Sequence, residues 1–84
     1  MDRYRQELIE EISEPLIGLA KTIADLESRV ADARDKGEYC RHDILRGGLL
    51  NAYSRWHDAI ARIRDRDGAQ VASEVADYVQ SREL

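Results

Sequence analysis

Four glutamates are the first residues whose type and spacing suggest chemistry. Glu7, Glu10, Glu11 and Glu14 fall at i, i+3, i+4 and i+7, so a helix gathers them on one side. Like charges so spaced repel one another mildly, which points to a docking face for a partner with a basic surface. The plainer reading is a solvated face near a helix N-terminus, where the macrodipole tolerates acids. A second group is Cys40, His42 and Asp43, with His57 and Asp58 further on. Zinc needs about four converging donors. His42 and His57 stand fifteen residues apart in one helical stretch, roughly 22 Å at the standard rise, so they cannot share an ion. No metal site is expected, and His42 is read as packing at the end of a bundle.

His42-Asp43 followed by Arg46 resembles the phosphoacceptor box of histidine kinases and histidine phosphotransfer proteins. The resemblance covers about a dozen residues, Arg41 to Tyr53. It implies His42 as the phosphoacceptor on a helical hairpin, with Asp43 polarising its imidazole. Arg46 lies one position later than in the family pattern, and Gly47-Gly48 replaces its proline-containing step.

A third group is basic. Arg41, Arg46, Arg55, Arg62, Arg64 and Arg66 form a candidate phosphate-contacting strip, but Asp58 and Asp65 interleave with them and partly neutralise it. The net charge is −4, made of −3 over residues 1–37, +2 over 38–66 and −3 over 67–84. That balance argues against a general nucleic-acid binder, which would show a dominant basic surface. Ser-His-Asp and Cys-His groupings, phosphate loops and paired buried carboxylates do not stand out. At 84 residues there is little room for a pocket of ordinary ligand size. The expectation is a protein that is not an enzyme and takes no cofactor.

The elements that must position these groups are helices. Ile9, Ile12, Leu16, Leu19, Ile23, Leu26, Val30 and Ala33 alternate three and four apart, the seam of a helix packed lengthwise against others. Pro15 interrupts it. Either the helix continues with a kink, as the unbroken register favours, or a new one starts with Ser13 as N-cap and Ile12 and Ile17 as a hydrophobic staple. Gly37 suits a C′ position in the left-handed region. A second helix is expected from Tyr39 to about Arg66, its seam formed by Leu45, Leu49, Ala52, Trp56, Ala59 and Ile63, with Tyr53 and Ile60 widening the stripe. Trp56 is read as core. Gly47-Gly48 either breaks that helix or admits another backbone closely. Asp67-Gly68 is the next turn, and Ala69 to about Arg82 makes a shorter third helix, apolar at Val71, Ala72, Val75, Tyr78 and Val79.

The predicted fold is all-α over residues 1–84 as one domain: an antiparallel bundle of two long helices, the first kinked or broken near Pro15, plus a shorter C-terminal helix. The third helix is too short to cover the first two, which predicts a homodimer or a partner helix in the gap. No run approaches the ~18 apolar residues that span a bilayer, the opening MDRYRQELIEE lacks an apolar signal core, and one cysteine allows no internal disulfide. These features place the chain in the cytoplasm of a bacterial or infected host cell, away from membranes. The expected function is a protein-binding module, a small adaptor or an inhibitor acting by occlusion. Phage and mobile-element proteins that block host defence, anti-CRISPR proteins among them, are similar in type. The alternatives are a histidine phosphotransfer module using His42 and a nucleic-acid-associated regulator using the arginines of the middle helix.

Overall fold

The computed structural model describes residues 2–83. Every regular element among them is helical: α1 Asp2–Asp35, α2 Tyr39–Asp67 and α3 Ala69–Glu83. The apolar periodicity of the sequence thus carries through to the backbone, with the expected all-α class and three helices. α1 runs unbroken through Pro15, so Ser13 is not an N-cap. Pro15 still removes one hydrogen bond, because its nitrogen cannot donate to the Glu11 carbonyl.

Two short connections set the topology. At the end of α1 the Glu38 amide donates to the Ala33 carbonyl at 2.9 Å and the Gly37 amide to the Arg34 carbonyl at 3.1 Å. With Gly37 at φ 71°, this is a Schellman cap, and it returns the chain directly into α2. Gly68 alone joins α2 to α3. Its φ of 98° and ψ of 161° lie outside the left-handed helical well expected of a C′ residue, in a region open essentially to glycine. One residue makes the whole reversal, so no room is left for a capping turn.

α1 and α2 pack antiparallel. One crevice brings Ile12, Pro15 and Leu16 beside Ala59 and Ile63, and another brings Ala20 and Ile23 beside Tyr53 and Trp56. α3 runs alongside α1 in the same direction: Arg5 donates from Nε to Glu74 Oε2 at 2.9 Å, Ile9 lies beside Tyr78, and Ala20 beside Gln80. Arg5 first, and then Gln70, hold the Glu74 carboxyl below its usual range. This exposed tie therefore acts at neutral pH and is lost as the pH falls through the carboxylate range.

The core sits where three helices meet. Ile9, Leu16, Ala20, Ile63, Ala72, Val75 and Val79 form its buried cluster, with Val75 and Val79 fully inaccessible. Trp56 is half-buried against it. The most buried line of α1 includes Ser13 and Ala20, one step round from Ile12 and Leu19, because small side chains let α3 approach. Ser13 is fully buried and its hydroxyl has no hydrogen-bond partner. An unpaired buried hydroxyl is unfavourable, so Ser13→Ala should raise stability by about 1 kcal/mol, read as a higher urea midpoint at unchanged m-value.

α3 ends at Glu83, and near that end Gln80 lines a crevice with Ala20, Ile23 and Glu27 of α1 and Tyr53 and Trp56 of α2. Beyond that crevice the end of α1, to Asp35, and the start of α2, from Tyr39, continue as a two-helix arm. The molecule is accordingly long, 53 × 24 × 15 Å.

Candidate functional site

The helix that carries Glu7, Glu10, Glu11 and Glu14 places all four on its exposed side, in the part of α1 that belongs to the three-helix body. Their neighbours are basic or polar. Arg3 Nε lies 3.5 Å from Glu7 Oε1, and Gln6 Nε2 donates to Glu10 Oε1 at 3.2 Å. Glu11 borders the crevice shared with Arg62 and Arg66 of α2. On the opposite flank, Arg82 of α3 donates to the Tyr78 hydroxyl at 3.1 Å. That bond, and then the charges of Glu10 and Glu14, hold its proton more firmly. The face is therefore a row of carboxylates with arginines of other helices at its flanks, an arrangement that single-helix spacing does not reveal.

The arginines of α2 do not form one strip. Arg41, Arg55, Arg62 and Arg66 fall at i, i+14, i+21 and i+25 and share a side, while Arg46 and Arg64, each nine positions from Arg55, stand half a turn away. Arg41 Nη1 lies 3.6 Å from Glu38 Oε2, and Arg66 donates from Nε to Asp67 Oδ2 at 2.9 Å. These contacts divide the basic charge among local acids.

His42 sits in the first turn of α2 at the tip of the arm, where its amide donates to the Glu38 carbonyl at 2.8 Å. Its side chain is 23% exposed, and Nδ1 lies 3.5 Å from Asp43 Oδ1. Cys40 is exposed with a free thiol. Among the described residues no three His, Cys, Asp or Glu side chains group as metal ligands would. None of the helices among those residues is long and apolar enough to cross a membrane.

Two features escape a reading of the sequence. The first is a polar pair near the end of α3: the Tyr53 phenol shares a crevice with Glu27, and the Glu27 carboxylate, as hydrogen-bond acceptor and as charge, together with burial, holds the phenol's proton above the usual tyrosine range. The available signal is that Glu27 continues the buried line of Ala20 and Ile23, so an acid marks where that line ceases to be core. The second lies on the arm, where Tyr39, Ile44 and Leu50 are 76%, 77% and 57% exposed. Between them α2 passes unbroken through Gly47 and Gly48, and a Cβ at either would meet nothing within 4 Å. The paired glycines therefore neither break the helix nor seat another backbone of this chain.

Compared with protein-family models, with curated proteins and with solved structures, the chain finds no match in any of the three.

Proposed function

We propose that this chain is a non-enzymatic protein–protein interaction module, a small adaptor or an inhibitor that acts by occlusion. The observation that carries the reading is the exposure of Tyr39, Ile44 and Leu50 on an arm that α3 does not cover. Large apolar side chains held in water on a rigid helix favour a protein surface that removes them from it. At the other end of the molecule the carboxylate row of Glu7, Glu10, Glu11 and Glu14 supplies charge that selects a partner with a basic surface and speeds encounter. An anti-defence inhibitor of the anti-CRISPR type is the most specific form of this reading, by analogy of type, and it sets the chain to work in the cytoplasm of a bacterium or an infected cell.

The test is affinity capture from host lysate with three baits: the wild type, Ile44→Glu/Leu50→Glu, and Glu7→Lys/Glu11→Lys/Glu14→Lys. A defined complex held by the wild type and lost from the arm variant supports the module and places its surface. Loss from the acidic variant alone moves the surface to the carboxylate row. Capture of the same proteins by all three overturns both placements.

One observation favours a second reading, phosphotransfer at His42: the 3.5 Å approach of Asp43 to Nδ1. Acetyl phosphate should then label the wild type and leave His42→Ala unlabelled. Equal labelling of the two ends that reading. A nucleic-acid role draws no support from arginines that lie on opposite sides of α2.

A further inference from the structure

We propose that the exposed side of α2 between Tyr39 and Ser54 is the interface for a second copy of this chain, the two α2 helices crossing antiparallel about a two-fold axis. The inference rests on the binding reading above and names its occupant.

Area is the first argument. A compact monomer of 9.6 kDa exposes about 5,100 Å² by the usual scaling of surface with mass. This chain exposes 6140 Å². The excess, about 1,000 Å², is close to the ~800 Å² that each partner buries in a standard stable interface. The radius of gyration agrees: 15.3 Å against about 12 Å for a compact domain of this length.

Charge is the second. The arm with its turn, residues 24–52, holds six acids and five bases, a net −1, whereas the rest of the chain carries −3. Two copies meeting through their arms avoid the repulsion that two acidic bodies would meet. Starting in the arm, Gly47 to Ser54 is the longest run without a charged residue in a chain that is 36% charged. The exposed residues of that run, Gly47, Gly48, Leu50, Asn51 and Ser54, carry no charge and are bordered by both signs in Arg41, Asp43 and Arg46, a balance that suits a second copy better than a strongly charged partner.

Shape is the third. Ile44 and Leu50 stand on either side of Gly47 on the outer face of α2, and the space above Gly47 is open. Two such helices crossing at their glycines bring the backbones close and set each Ile44 and Leu50 against the other copy. A closed two-fold contact uses the same patch twice, so it ends at a dimer.

Sedimentation of the full chain up to about 100 µM tests this. The expected result is a species of twice 9.6 kDa that dissociates on dilution. Ile44→Glu/Leu50→Glu should sediment as a monomer with undiminished helicity, since both side chains already face water. Gly47→Gln has room in the monomer and should keep the fold while weakening the dimer at least about tenfold. A wild type that stays monomeric, or a dimer indifferent to both variants, overturns the proposal. If the wild type is monomeric yet an Ile44/Leu50-dependent partner is captured, the second copy is wrong and the binding reading stands. If it is monomeric and captures nothing, both fall.

Discussion

Replacing Val75 by aspartate is expected to abolish cooperative thermal unfolding of the chain. Val75 is fully inaccessible where α3 meets both long helices. A lone carboxylate there loses its hydration and gains no partner, an effect of several kcal/mol. The whole stability of an 84-residue domain is only about 4–13 kcal/mol. Val75→Ala provides the scale: it removes part of a buried valine and should lower stability by about 2 kcal/mol while leaving the transition cooperative. Ile44→Asp, which puts the same charge on an exposed position of α2, should leave the monomer's transition nearly unmoved. Circular dichroism melts of the three variants at a concentration too low for association would settle the matter. A cooperative Val75→Asp melt near the wild-type midpoint would mean that α3 is not docked through Val75.

Pro15→Ala should act in the opposite direction. Proline inside a helix is about 3 kcal/mol less favourable than alanine, because one hydrogen bond is missing and the ring crowds the preceding turn. Proline also restricts the unfolded chain, which returns about 0.4–1 kcal/mol. The net expectation is a gain of about 2 kcal/mol, or roughly 10 °C in Tm for a domain of this size. Pro15 is exposed and α1 is continuous across it, so alanine can restore the bond to the Glu11 carbonyl without repacking. A gain near zero would show that the backbone at Pro15 departs from the helix too far for alanine to recover the bond.

The helix boundaries were legible because each is written in residues with a physical duty. Gly37 and Gly68 are the only positions with positive φ among those described, and they stand where the apolar periodicity stops. The seam of α1 towards α2 was legible for the same reason, since Ile12, Leu19, Leu26 and Val30 mark it by hydrophobicity. The line facing α3 was legible only in part: Ile9 and Leu16 belong to the seam, but Ser13 and Ala20 are buried for their small size, and periodicity counts only apolar bulk. Gly47-Gly48 was ambiguous: two glycines disfavour a helix by about 2 kcal/mol in all. Packing of Leu45, Leu49 and Ala52 against α1 outweighs it, a tertiary effect that propensity omits. Of the candidate site, the exposure of the four glutamates followed from their spacing. Their arginine neighbours did not, since Arg62, Arg66 and Arg82 arrive from other helices and only the fold sets them there. The exposure of Ile44 and Leu50 depends in the same way on where α3 ends.

The two short connections also govern how the chain finds its fold. α1 and α2 are joined through one tight cap and α3 follows after a single residue, so every helix docks on a neighbour in sequence. Little chain entropy is spent in closing loops, and native contacts are mostly local, the regime in which helical domains fold in microseconds to milliseconds. Val75 and Val79 bury themselves chiefly against Ile63 of α2 and against Ile9, Leu16 and Ala20 of α1, far from α3 in sequence. Docking α3 thus closes the long-range contacts that the two short connections leave open, and hydrogen exchange of α3 amides against those of α1 would read how tightly it is held.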